Sequence, residues 1–333
     1  MLCESQLIQS FVRFAGPVGN ELSDDAYWDP ERRQVLSTDL FIEGQHFDFG
    51  YLSPYEVGWK CFAGALSDIA AMGAEAQHVL VSLGIPVHAD AANITSFYEG
   101  IRACQTALRP YSPNVVGGDT VASPVWVVNI TVTGVLPAGQ TPGFRNAAQP
   151  GDQVLMSGPH GLSAAGLWSL QHQSTEALGA LSTEGQAALI RCRNAHRMPV
   201  PQLAKGRALA ETMSRYSLMD SSDGLADALI KLAEGSGVRL EVEMSENLVD
   251  SALMSVAEQA QVSVQDWVLY GGEDYELVGT IPAYAAVPEG FIVIGRVLAG
   301  TPGAWIRHLS DRDAGAASLT QLTLAKTYHH FSA

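Results

Sequence analysis

Cysteine is scarce in this chain, and its four residues, Cys3, Cys61, Cys104 and Cys192, include no C-x-x-C pair. That scatter suggests neither a disulfide framework nor a structural zinc site, and it suits a reducing compartment. Basic residues are also few: 19 Lys and Arg against 35 Asp and Glu leave a formal charge of −16. Such a balance argues against a surface for nucleic acid or anionic membrane, although an acidic protein still binds phosphate through a divalent cation. No uninterrupted apolar run is long enough to span a bilayer, and no basic segment followed by an apolar core opens the chain, so a cytoplasmic, unprocessed protein is expected. Neither a G-x-x-x-x-G-K-[ST] loop nor a G-x-G-x-x-G following a strand is present, which removes P-loop and Rossmann nucleotide sites. Nucleophilic catalysis has little support, because no serine lies in a G-x-S-x-G elbow and His46 stands outside any triad pattern.

What is present is an ordinary globular composition, 47% hydrophobic and 16% charged over 333 residues, enough for two domains with sizeable cores. The chain is organised around Ser53 to Ala74, SPYEVGWKCFAGALSDIAAMGA. Ser53 and Glu56 form a capping box, Pro54 suits the first helical position, and Gly73 suits the left-handed residue that closes a helix. From Cys61 onward this helix is apolar or small on every side apart from Ser67 and Asp68, so it is expected to be buried. Asp68 lies on the stripe Val57, Cys61, Gly64, Asp68, Met72, and an unpaired buried carboxylate costs several kcal/mol. A cation is therefore expected beside it: Lys60 or an arginine in a structural pair, or a metal ion, with Gly64 and Ala65 leaving room for a ligand.

Hydrophobic periodicity predicts an amphipathic helix over 5–14 and a strand over Gln34–Asp39. After the central helix come a strand over Val79–Ile85, a helix over Ser96–Leu108 and a strand over Trp126–Thr133. Asn114-Val-Val leads into Gly117-Gly118-Asp119-Thr120, read as a turn. Two helices cover one sheet face, so the other needs a partner. Leu136 to Asp152, rich in Gly and Pro, is the linker, dividing the chain into domains at 1–140 and 141–333. Beyond it, strands are predicted near Gln153–Ser157, Val238–Val242, Glu276–Ile281 and Phe291–Val297. Helices are predicted from Leu162 and near Thr183–Cys192, Pro201–Met213, Leu225–Ala233 and Ala252–Ala260.

Carboxylates gather at the ends of these elements: Asp25, Asp39, Asp119, Asp220 and Asp223 in MDSSDGL, Glu273 and Asp274 in GGEDYEL. Each has a plain alternative, Asp223 as a helix N-cap and Asp119 as a turn residue. Together, several hard oxygen ligands without His or Cys partners describe Mg²⁺ sites, and Mg²⁺ held by carboxylates usually serves phosphates. The turn Gly158-Pro-His-Gly161 offers backbone N–H groups to an anion.

Ser37-Thr38-Asp39, Gly44-Gln-His46-Phe47, Ser67-Asp68-Ile-Ala-Ala-Met-Gly-Ala74, Gly117-Gly118-Asp119-Thr120, Asp220-Ser-Ser222-Asp223-Gly224-Leu225 and Gly271-Gly-Glu273-Asp-Tyr-Glu-Leu277 resemble, in order and spacing, the thiamine-monophosphate kinases of the aminoimidazole-ribonucleotide synthetase superfamily. The resemblance spans nearly the whole chain, and the combination of motifs is specific where any one is not. It implies an α+β, two-domain aminoimidazole-ribonucleotide synthetase-like fold, with an N-terminal sheet forming a barrel-like dimer interface and a C-terminal α/β sandwich. It further implies ATP-dependent phosphorylation of thiamine monophosphate to thiamine diphosphate by direct in-line transfer, in a homodimer using several Mg²⁺ ions. Metal ligands carry over to Asp25, Asp39, Asp68, Asp119, Asp220 and Asp223, with oxygens from Ser37 and Thr38. Asp68 and Asp223 are the catalytic assignments. ATP contacts carry over to Tyr98, Gly118, Asp119, Arg145 and Ser222, and substrate contacts to His46, Glu273 and Tyr328. The family's usual G-D-D is Ser23-Asp24-Asp25 here, and the final KTYHHF follows the family only in outline.

Phosphoryl transfer demands in-line positioning and neutralised phosphate charge rather than covalent work by the protein, which a carboxylate cage of metals supplies. Arg145, in the linker, is a further cation for a phosphate. Two rival readings remain. One is a related ATP-dependent ligase or selenophosphate synthetase, the latter disfavoured because no Cys sits beside a Lys in an N-terminal loop. The other is an inactive nucleotide-binding regulator, against which the intact carboxylates count.

Overall fold

The structure, a computed structural model, describes residues 24–172, 181–243, 248–307 and 319–326. The predicted N-terminal helix over 5–14 and Tyr328 lie outside them. Five strands make the first sheet: β1 (Tyr27–Asp29), β2 (Gln34–Ile42), β3 (Glu75–Ile85), β4 (Asn114–Ala122) and β5 (Val127–Val135), in the order β1-β2-β5-β3-β4. Only β3 and β4 run parallel, and a parallel pair needs a crossover. Helix α2 (Ala91–Ala107), opened by the Asp90 side chain accepting from Ala92 N, lies in that connection.

Helix α1 (Pro54–Ala71) has the capping box its sequence predicts: Glu56 N donates to Ser53 Oγ at 3.3 Å, and Ser53 N donates to Glu56 Oε2 at 2.7 Å. Gly73 follows with φ +66°. The helix is buried over most of its length, between the first sheet and the rest of the chain. On β2 the alternation is clean. Val35 and Phe41 are buried and Ser37 and Asp39 share their side, while Leu36, Thr38 and Leu40 face out. That outer face carries Leu40 and Leu80, about half exposed, and α1 and α2 leave it uncovered.

Gly117–Thr120 is not a turn. It continues β4, paired with Leu80–Leu83 of β3. A bulge between Val79 and Leu80 brings the two backbones so close that a Cβ on Gly118 would lie 1.7 Å from Val81 O, so the glycines serve strand approach rather than chain reversal.

Seven strands form the second sheet, β6 (Gln153–Met156), β7 (Ser217–Asp220), β8 (Arg239–Glu243), β9 (Leu277–Ile281), β10 (Ile292–Leu298), β11 (Gly303–Arg307) and β12 (Leu319–Gln321), in the order β12-β11-β8-β10-β6-β9-β7. Helices α3 (Leu162–His172), α4 (Thr183–Arg197), α5 (Leu203–Thr212), α6 (Leu225–Ser236), α7 (Ser251–Ala260) and α8 (Val264–Tyr270) complete this half. The segment 136–152 joins the two sheets, yet burial does not stop there: Leu203, Leu209, Tyr216, Leu218 and Leu277 share one apolar cluster with α1 and the first sheet. Trp59 Nε1 of α1 also donates to Pro199 O at 2.8 Å. Among the described residues no helix is long and apolar enough to cross a membrane.

Candidate active site

Asp25 just before β1, Asp68 on α1 and Asp220 at the end of β7 converge, with one carboxylate oxygen from each within 4.8 Å of the others. Asp39 faces the same space from β2. Burial first, and Asp25 second, push the Asp39 carboxyl up to about 6 and that of Asp220 up to about 8. Asp68 is held well above the usual carboxylate range by burial and then by Asp39, Asp220 and Asp25. Four carboxylates forced together in this way call for positive charge. Asp25 has one source, Arg145, whose Nη2 and Nε reach it at 2.5 and 3.3 Å.

Asp68 accepts from Ser37 Oγ and has no ion pair among the described residues. The expected alternative of a pair with Lys60 therefore does not occur. Lys60, fully buried two turns before Asp68, has other partners: its ammonium lies 2.9 Å from Glu273 Oε1 and donates to His196 O at 3.2 Å. Asp223 is not the N-cap of α6 either. Gly224 takes that position with φ +107° and no side-chain cap, leaving Asp223 free to face the cleft, with Lys231 Nζ 3.7 Å away.

A cleft of about 780 Å³ opens over this cluster. Asp39, Asp68, Asp220, Ser222 and Asp223 line it, together with His46, Glu273 and Tyr275, and an apolar stretch is supplied by Leu167, Trp267 and Tyr270. His46 Nδ1 accepts from Ile42 N at 3.0 Å, which fixes the ring beside Phe41. Ser222 O accepts from Glu273 N at 2.7 Å and so ties the MDSSDGL and GGEDYEL segments together.

Other expected site residues stand apart. Thr38, on the outer face of β2, shares a hydrogen bond of 2.9 Å with Thr131 Oγ1. Gly118 and Asp119 lie on the exposed strand β4, where Asp119 Oδ1 accepts from Thr120 N, and Tyr98 lies on an exposed part of α2. The N–H groups of the Gly158–Gly161 turn region do not await an external anion. Gly161 N and Ser163 N donate to Asp274 at 2.5 and 2.9 Å, and burial pushes that carboxyl up to about 7. Sequence reasoning missed Lys60 and His196 as partners of Glu273, and it missed Trp267 and Tyr270, whose short helix α8 has too few turns to show a period.

Residues 23–136 match the family described as AIR synthase related protein, N-terminal domain. Thiamine-monophosphate kinase of Bacillus subtilis is 34% identical over 250 residues, 75% of this chain and 72% of the relative. The Corynebacterium glutamicum enzyme of the same name is 32% identical over 302 residues, 89% of this chain and 86% of that one. The chain belongs to the thiamine-monophosphate kinase family. The solved complex of AaThiL with AMPPCP and TMP is similar with a TM-score of 0.80 and 28% identity, covering 99% of this chain and 97% of that one. For this family member, mixed sheets and helices in the aminoimidazole-ribonucleotide synthetase-like fold follow directly.

Proposed function

We infer that this protein transfers the terminal phosphoryl group of ATP to the phosphate of thiamine monophosphate, giving ADP and thiamine diphosphate. The observation that carries the reading is the convergence of Asp25, Asp39, Asp68 and Asp220 at one end of a cleft whose other wall holds His46, Glu273 and an apolar surface. The acceptor is a phosphate monoester with a second ionisation near pH ~6, so its attacking oxygen is already anionic and needs no strong base. What the site must supply is alignment and charge compensation.

Magnesium suits the donor set, since hard oxygens pressed together, with Arg145 the one cation held against Asp25 and none against Asp68 among the described residues, favour a small divalent ion, and Asp25, Asp39, Asp68, Asp220 and Asp223 would hold it. Bound there, such ions would neutralise and orient phosphate oxygens. Asp68, kept in place by Ser37, and Asp223 contribute through fixed charge and geometry. Glu273, pinned by Lys60, and His46 would position the thiamine half, with Trp267 and Tyr270 sheltering its rings. Contacts to ATP by Tyr98, Gly118, Asp119, Arg145 and Ser222, oxygens from Thr38 and the role of Tyr328 rest on the family resemblance. So does the division at 1–140 and 141–333, the first part binding metal and ATP and dimerising, the second completing the ATP and substrate sites.

Incubation of the purified chain with ATP and Mg²⁺ should yield ADP and thiamine diphosphate from thiamine monophosphate, and no product from thiamine. Absence of product from the monophosphate, or preference for thiamine, overturns the reading.

The outer face of the first sheet supports a homodimer in which two such sheets close into a barrel-like interface. Val116 and Val121 on β4 are 56% and 59% exposed, alongside Leu40 and Leu80, and unpartnered apolar patches mark interaction sites. Sedimentation equilibrium should give twice the chain mass, and Leu80→Asp should shift it toward monomer. A folded, active monomer at micromolar concentration counts against the dimer.

A further inference from the structure

The segment Gly271–Leu277 carries an unusual conformational load. Glu273 and Tyr275 both have left-handed backbones, at φ +65° and +52°. For a bulky aromatic residue that is an outlier, one that persists only where its surroundings impose it. Here they do. Asp274 between them accepts from Gly161 N and Ser163 N, Glu273 N donates to Ser222 O, Lys60 holds the Glu273 carboxylate, and Glu276 O accepts from Ser221 N at 2.9 Å.

This conformation throws the Tyr275 ring toward α1 at Gly64, one helical turn before Asp68. A Cβ on Gly64 would lie 3.0 Å from the Tyr275 hydroxyl, so the glycine leaves the space the phenol occupies. Tyr275 is only 5% exposed, yet it lines the cleft. Its hydroxyl makes no hydrogen bond to a described residue and is not sealed in the packed interior, so the donor is open to the cleft that Tyr275 lines. Burial first, and then the carboxylates of Glu273, Asp39 and Asp220, hold the phenol well above its usual range and so keep it protonated. A strained backbone and an unused donor fall on one residue, between the acidic cluster and Glu273.

We propose that Tyr275 is a neutral hydrogen-bond donor to a phosphate oxygen at the point of transfer, complementing carboxylates that can only accept. The role rests on the kinase reading above and adds to it a group that touches the reacting phosphate. An uncharged donor suits that position, because it offers a proton for hydrogen bonding without releasing it into the surrounding negative charge.

The test is Tyr275→Phe in the full-length chain with ATP, Mg²⁺ and thiamine monophosphate, turnover being expressed per ATP-binding site counted by calorimetry. The expected result is a kcat lowered about 10- to 100-fold, with KM for thiamine monophosphate and Kd for ATP changed by less than about threefold and an equal or higher Tm. A kcat within about twofold of the unaltered protein overturns the proposal, as does a loss appearing wholly in ATP affinity or KM, or a lowered Tm with normal turnover per site. The unaltered protein assayed alongside separates the two ideas. Its failure to turn over overturns the kinase reading and this role with it, whereas equal turnover by both proteins overturns only the role of Tyr275.

Discussion

Removing divalent ions should weaken ATP binding by at least about a hundredfold, measured by calorimetric titration with and without excess EDTA. A triphosphate entering the cleft meets Asp39, Asp68, Asp220 and Asp223, and the nearby guanidinium of Arg145 is already committed to Asp25. Without a metal those carboxyls offer the phosphates no cation, no P-loop lysine takes its place, and the chain as a whole carries −16. Each lost charge-assisted contact costs about 1.5–3 kcal/mol, and several would go together. Calcium should restore binding while supporting little turnover, because its longer and looser coordination misplaces the phosphoryl group relative to the acceptor. Equal ATP affinity with and without divalent ions would mean that Arg145 or other donors hold the phosphates, and that these aspartates do something else.

Stability of the stripped protein should fall as pH rises from about 6.5 to about 8, and Asp68→Asn should flatten that fall while abolishing turnover. Asp220, raised to about 8, and Asp68, raised well above the carboxylate range, keep protons in the folded state that the unfolded chain has already lost. The folded state therefore binds more protons across this window, so raising pH favours unfolding. Asp274, raised to about 7, adds to the lower part of the window. His160, lowered to about 4 by burial, and His196, lowered well below its usual value by burial and then by Lys60 and Arg197, work in the opposite sense. Their stabilisation grows as pH rises toward about 6.5, where unfolded histidine loses its proton, and is constant above it, which is why the window starts there. Each proton held back is worth about 1.4 kcal/mol per pH unit, so the Tm in EDTA should drop on the order of 10 °C. Magnesium should remove most of that drop, since a bound cation does the work of the protons. A Tm that is flat or rising across this window in EDTA, or an Asp68→Asn protein less stable than its parent without metal, would mean that the carboxylates are already compensated within the protein.

Local rules wrote α1 into the sequence almost completely, because capping residues, Pro54 and Gly73 act through bonds within a few residues. Strands β2 and β5 were legible through alternation. Strand β7 was not: Ser217–Asp220 is four residues buried on both faces, with no period to read. The same divide runs through the site. Asp25, Asp68 and Asp220 share a residue type that flags a hard-cation cluster from sequence, and the structure brings them together. Lys60, His196 and Glu273 are joined by contacts spanning more than half the chain, which no local pattern records. Asp119 shows the reverse case, since two glycines before an acid read as a turn until the neighbouring strand shows why the side chains are missing.

The Lys60 ammonium binds three distant segments into one rivet beneath the cleft: the central helix, the end of α4 through His196 O, and the GGEDYEL loop through Glu273. Prising those segments apart would strand a bare cation in a medium that cannot solvate it, at a cost of about 3–5 kcal/mol. The floor of the cleft is thereby made stiff. Exchange of substrate for product is therefore expected to use motions at the rim rather than a parting of the segments that Lys60 joins.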